Sequence, residues 1–166
     1  MKRRFCTTVT SNYLPFAKTL FDSLYEFDRD LEFFVLVVDG NSSVENLDFS
    51  ILYLNDLSNQ NLVKEIRSKY SIKSNELRWS LKSVLLIHLL ENCPESQVFF
   101  VDPDICFFSD FRFLYSELGE SSFLLSPHWK NIEPNPRDDS FVSLFTHGLF
   151  NAGFIGATFK GIDTLR

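Results

Sequence analysis

The chain has 166 residues, of which 45% are hydrophobic and 23% charged, and carries a formal net charge of −6. Such proportions are globular, and a domain near this size buries roughly 68–70% of its unfolded surface. The acidic balance, with no basic stripe, excludes a general binder of nucleic-acid backbones, and no window reaches the ~18 uninterrupted apolar residues of a membrane span.

Residues Phe5 to Thr10 read as a short first strand. From Leu14 to Phe27 the apolar positions Leu14, Ala17, Leu20, Phe21, Leu24 and Tyr25 recur at helical spacing, which predicts an amphipathic helix. Phe33 to Val38 is an apolar, β-branched run closed by Asp39-Gly40-Asn41, the pattern of a strand covered on both faces. Phe49 to Leu54 is a further strand candidate, and Leu62 to Tyr70 a short polar helix. A long helix is predicted from Asn75 to Glu91, with Leu77, Leu81, Val84, Leu85 and His88 on one face and Asn92 and Pro94 as its stop. Val98 to Val101 is a buried strand that runs into Asp102-Pro103-Asp104, after which Ile105 to Phe108 resumes the apolar pattern. Phe123 to Leu125 and Phe154 to Ala157 are the last strand candidates, and Gly161 to Arg166 begins another helix. The one extended loop, Pro127 to Asp139, has the length of a flap or an insertion.

Strands alternating with helices predict an α/β fold with a mainly parallel central sheet flanked by helices, whose ligands gather beyond the carboxyl ends of the strands. Nineteen phenylalanines imply a large aromatic core, or apolar surface meant for further protein. Cys6, Cys93 and Cys106 are odd in number and lack metal-ligand spacing, so they read as reduced, buried thiols of a cytoplasmic protein. The basic start is followed too soon by Thr7, Thr8 and Thr10 for a secretory leader.

Twelve aspartates give about one Asp-x-Asp pair by chance, and the chain has two. Asp28-Arg29-Asp30 lies in a polar helix-to-strand connection and reads as a solvated loop. Asp102-Pro103-Asp104 sits between buried runs, where two neighbouring anions repel and lose hydration unless a partner arrives. A hard divalent cation, Mg2+ or Mn2+, resolves that conflict, and Pro103 stiffens the pair. The alternative is a strand-ending turn with both carboxylates facing water.

The stretch NELRWSLKSVLLIHLLENCPESQVFFVDPDICFFSDFRFL, with TTVTSNYLPFAKTLFDSL before it and LLSPHW and HGLFNAGFIGA after it, resembles GT-A-type bacterial glycosyltransferases of the glycogenin and lipopolysaccharide-galactosyltransferase group. The resemblance covers nearly the whole chain. It implies a GT-A nucleotide-diphospho-sugar transferase fold. Residues 1–166 would form a single donor-binding domain, the N-terminal portion of something longer and incomplete near Arg166. The implied donor is a UDP-sugar whose phosphates share Mn2+ or Mg2+ with Asp102 and Asp104. Thr8, Thr10, Asn12 and Tyr13 fall where relatives hold base and ribose, Lys82 and, one turn earlier, Arg78 where they place a basic residue near the donor, and Asn151, Ala152 and Gly153 where they touch the sugar. Within the family an acidic residue is common near Thr10, and here none is present. The family's metal-binding histidine comes from a segment beyond Arg166, so His128 and His147 are not assigned as ligands, and His88 reads as structural. The acceptor (glycan, lipid or protein) and the catalytic residue are unassigned, and peripheral membrane contact is compatible with the reading.

At this length the expectation is partial donor binding with weak or absent transfer. Two other readings compete with it. One is a non-catalytic truncated module that only binds or forms an interface. The other is a haloacid-dehalogenase-type phosphatase with Asp102 as nucleophile, although that family expects Thr or Val where Cys106 stands.

Overall fold

The computed structural model describes residues 2–40, 47–72, 74–128 and 146–166. The loop expected over Pro127 to Asp139 falls outside these beyond His128. Strands β1 (Arg3–Val9), β2 (Glu32–Val37), β3 (Ser50–Tyr53), β4 (Gln97–Val101), β5 (Phe123–Pro127) and β6 (Phe150–Ala157) form one six-stranded sheet in the order β3-β2-β1-β4-β6-β5. The β1–β2, β2–β3 and β1–β4 pairings are parallel, and β6 runs antiparallel to both β4 and β5. The sheet is therefore mainly parallel, as its sequence pattern predicts.

Helices α1 (Leu14–Tyr25), α2 (Gln60–Lys69), α3 (Asn75–Asn92), α4 (Phe113–Leu118) and α5 (Ile162–Leu165) connect or follow the strands. Their ends have local causes. Pro15 stands in the first turn of α1, where a missing N–H costs nothing. The side chains of Asn59 and Ser74 cap α2 and α3 by accepting from the N–H groups of Leu62 and Leu77. Gly119 takes φ 46° after α4, a left-handed conformation that glycine adopts without strain.

Because strand side chains alternate, the sheet builds a core on each face. Phe5, Val35, Phe99 and Val101 face α1 and the Phe111–Leu118 segment, while Cys6, Leu36, Val98 and Phe100 face α3. Much of the phenylalanine excess lies on the first face: Phe5 stacks on Phe99 at 5.1 Å between centroids and meets Phe111 edge-on at 5.2 Å. Each fully buried ring of this kind contributes about 1.5–3 kcal/mol of apolar burial. The remainder includes the exposed Phe108 and Phe113, of which Phe113 borders an apolar hollow between α4 and the β5–β6 pair.

The apolar run from Ile105 to Phe108 forms no strand: β4 already has a neighbour on each side, and the chain leaves the sheet as the Phe107 N–H donates to Ser23 Oγ on α1. Two expectations need correction. Asp28 is buried rather than solvated, accepting from Tyr115 Oη at 2.8 Å and pairing with Arg3 at 3.2 Å. Of the three free cysteines, Cys6 and Cys93 are buried, but Cys106 is only half-buried. The apolar surface of α3 is also wider than one face, with Leu86, Ile87, Leu89 and Leu90 buried as well, since α2, α5 and the sheet all pack against it. His88 is structural as expected: its Nδ1 accepts the Ser58 N–H at 3.0 Å.

Candidate functional site

The strand order reverses between β1 and β4: β2 and β3 lie to one side of β1, and the later strands lie beyond β4. In open α/β sheets such a switch point leaves a crevice at the carboxyl ends of the strands. A cleft of about 290 Å³ opens there, lined from the end of β1 by Thr8, Val9, Thr10 and Tyr13. The first two turns of α3 add Asn75, Arg78, Trp79 and Lys82, and the segment after β4 adds Asp102, Pro103 and Asp104.

The two aspartates flank a tight turn. Asp102 C=O accepts the Ile105 N–H at 3.2 Å, which puts Pro103 at the second turn position, where its fixed φ is favourable. Asp102 is tied down through three other groups. Its N–H donates to Gly153 O at 2.8 Å, and its Oδ1 accepts from Lys82 Nζ at 2.7 Å. Lys82 Nζ also donates to Ala152 O at 3.0 Å. Gly153 is required by close approach: a Cβ there would stand 2.9 Å from Asp102 Oδ2 and 3.1 Å from Asn151 Oδ1. Asn151 Oδ1 accepts the Gly153 N–H at 2.8 Å and thereby shapes the strand beside Asp102. Asp104 is exposed on the cleft wall and has no hydrogen-bond or ionic partner among the described residues.

Of the residues singled out in the sequence, Thr8, Thr10, Tyr13, Arg78, Lys82, Asp102 and Asp104 line this one cleft. Ala152 and Gly153 support it from β6. Asn12 and Asn151 are exposed; Asn12 Oδ1 accepts from the lining Thr10 Oγ1 at 2.6 Å, and Asn151 bonds to Gly153 behind the cleft. Thr8 Oγ1 is buried with no hydrogen-bond partner among the described residues. Tyr13 stacks on Phe16 at 5.1 Å. The solvated-lysine alternative for Lys82 does not hold, because the side chain is buried against Asp102.

Sequence reasoning missed three contributors. Asn75 and the exposed Trp79 share the cleft-facing side of α3 with Arg78 and Lys82, and their spacing of three and four residues was the available signal. Asp39, read only as part of a turn, reaches from the end of β2 to the loop after β1. Its carboxylate accepts the Ser11 N–H at 2.7 Å and the Ser11 hydroxyl at 3.0 Å. An acidic group thus does stand beside this loop, supplied by a different strand.

The donor set facing the cleft suits a hard divalent cation only in part. No group of three or more His, Cys, Asp or Glu converges among the described residues. Asp102 and Asp104 supply hard oxygens, but Lys82 already holds one oxygen of Asp102. A pair of carboxylates is nonetheless what Mg2+-type ions use when phosphates and water complete the shell, whereas an all-protein cage needs more ligands. The residues therefore fit a cation that arrives with a phosphate ligand.

No family model matches the chain. Among curated proteins, it is 28% identical over 160 residues to the uncharacterized protein YfnD of Bacillus subtilis (strain 168), covering 92% of this chain and 48% of YfnD. It is 26% identical over 169 residues to the uncharacterized protein YfnF of the same organism, covering 98% and 54%. The chain thus spans about half the length of the curated relatives it matches. Among solved structures it is similar to the galactosyltransferase LgtC in complex with donor and acceptor sugar analogs, with TM-score 0.56 and 15% identity over 95% of this chain and 58% of LgtC. It is also similar to the bifunctional glycosyltransferase WbbM, with TM-score 0.58 and 14% identity over 98% and 32%. The glycosyltransferase GlyE of Streptococcus pneumoniae TIGR4 gives TM-score 0.56 and 16% identity over 99% and 36%. The fold is that of GT-A-like glycosyltransferases.

Proposed function

We propose that this chain is the donor-binding part of a glycosyltransferase, holding a nucleotide-diphosphate sugar, with UDP as the nucleotide, in the cleft at the β1–β4 switch point. The observation that carries this reading is the meeting of two carboxylates, Asp102 and Asp104, with two cations, Lys82 and Arg78, in one cleft of a glycosyltransferase fold. Diphosphate recognition needs both signs: cationic side chains for the phosphate oxygens, and acidic ones that would hold an accompanying divalent cation.

In this reading Asp102 and Asp104 hold Mn2+ or Mg2+, which when bound supplies Lewis-acid stabilisation of the leaving diphosphate. Lys82 and Arg78 offset the charge of the phosphates, and Thr8, Thr10 and Tyr13 line the nucleoside end, with Asn12 steadying Thr10. Asn151, Ala152 and Gly153 hold Asp102 and Lys82 in register and border the sugar. The acceptor and the activity of the whole protein are further proposals, since LgtC, WbbM and GlyE are all longer than this chain. The three free thiols are in keeping with a reducing, cytoplasmic setting. The binding-module alternative shares the same donor site and differs only in lacking transfer. The phosphatase alternative draws no support from the fold.

The test is calorimetric titration of a panel of nucleotide sugars with Mn2+ present, comparing the wild type with Asp102→Ala/Asp104→Ala. Metal-dependent binding of one donor, lost in the double variant, is the expected result. Equal binding by both proteins, or none by the wild type, would sink the reading.

A further inference from the structure

Lys82 is an unusual place to put a charge. It is one of the buried residues of α3, which are otherwise apolar except for His88, and it is only 8% exposed. A buried ammonium is costly unless paired, and its head is met from three sides. Asp102 Oδ1 lies at 2.7 Å and Ala152 O at 3.0 Å, with the Phe100 ring centroid 4.7 Å from Nζ. Those contacts are one full charge, one carbonyl dipole and one aromatic face, all favourable to a cation.

The charges of the cleft lining also cancel. Asp102 and Asp104 are balanced by Lys82 and Arg78, and the other lining residues are neutral. A free divalent cation entering this cleft leaves it with two uncompensated positive charges, one of them already seated on Asp102. The diphosphate of a nucleotide sugar, with each phosphate singly ionised, leaves two uncompensated negative charges. Only the two together restore neutrality.

We propose that Lys82 is a tethered counter-ion that competes with a free divalent cation for Asp102, so that the cation binds tightly only together with a diphosphate. The role deepens the donor-binding reading and rests on it for the identity of the diphosphate. Lys82 is a positioning residue in this account. It keeps Asp102 aimed into the cleft, and it suppresses occupancy of the carboxylate pair by metal alone.

The experiment measures binding of Mn2+ alone, UDP alone, and Mn2+ in the presence of UDP, by calorimetry and by the electron paramagnetic resonance signal of free Mn2+. It uses the wild type, Lys82→Met, Lys82→Gln and Lys82→Arg, each checked for folding by circular dichroism and melting. The wild type should bind Mn2+ about tenfold or more tightly when UDP is present, and UDP should gain by the same factor from Mn2+. Lys82→Met and Lys82→Gln should bind Mn2+ alone about tenfold more tightly than the wild type and lose most of that coupling, whereas Lys82→Arg should keep it. Unchanged or weaker binding of Mn2+ alone by the folded neutral variants overturns the proposal. So does a wild type whose Mn2+ affinity is indifferent to UDP while UDP still binds, a result available even if the neutral variants do not fold. Failure of the donor reading looks different: UDP then binds under no condition, yet the neutral variants still gain affinity for Mn2+.

Discussion

Gly153→Ala places one methyl group where the geometry leaves no room for it. The added Cβ would lie 2.9 Å from Asp102 Oδ2, against the 3.4 Å at which ordinary contact begins, so the carboxylate must retreat by about 0.5 Å. Gly153 does not have positive φ, so alanine adds no backbone strain. The atom it meets ends a half-exposed side chain, and the folding cost should stay under about 1 kcal/mol. The cost to the site should be larger, because ligands displaced through their supporting shell typically lose about 10–100-fold in metal affinity. Gly156→Ala, three residues further along β6, is the control. Its Cβ would meet Phe99 Cε1 at 3.0 Å and Leu124 Cβ at 3.1 Å inside the core. That overpacking should cost about 1–3 kcal/mol, which lowers the melting temperature by about 2–4 °C per kcal/mol in a chain of this size. Calorimetric titration of Mn2+ with UDP, beside a thermal melt of each variant, separates the two effects. The reasoning is refuted if Gly153→Ala melts as low as Gly156→Ala while its Mn2+ and UDP binding stays intact.

Two further outcomes test the scaffold. Asp28→Asn keeps the shape but removes the charge that Arg3 pairs with and Tyr115 donates to. A loss of about 1–3 kcal/mol in urea unfolding is expected, and a change within about 0.5 kcal/mol would return Asp28 to the solvated loop its sequence suggests. Burial holds the His88 imidazole below its usual value of 6.5, against weaker opposing pulls from Glu91 and Asp56. The unfolded chain therefore takes up a proton that the folded chain resists, and stability should fall as pH drops from about 6.5 toward the lower folded value. Urea midpoints at neutral and mildly acidic pH should show this slope in the wild type and a shallower one in His88→Gln; equal slopes would contradict it.

What was legible in the sequence was what depends on neighbours in sequence. The apolar runs of β1, β2 and β4, the period of α1 and the stop of α3 all declare themselves within a dozen residues. So does Asp102-Pro103-Asp104, because apolar runs stand on either side of it. The hidden features depend on partners far along the chain. Asp28 is buried by a tyrosine 87 residues later, and Lys82 is fixed by groups 20 and 70 residues away. Nothing local to Lys82 separates a charge on a wet helix from one closing an ion pair. Residues 105–108 continue the apolar pattern without joining the sheet for a related reason: β4 has no vacancy beside it, so Ile105 and Phe107 pack against the core on the α1 face while Phe108 is exposed.

The order β4-β6-β5 has a consequence for how the protein is made. The strand that slots between its two neighbours is the last of the six to leave the ribosome. Until it arrives, β5 has no place in the sheet, and neither Asp102 N–H nor Lys82 Nζ can reach its carbonyl. Synthesis delivers the cleft's walls early and its buttress late, so the carbonyl partners of Asp102 and Lys82 and the completion of the sheet are acquired in a single closing step.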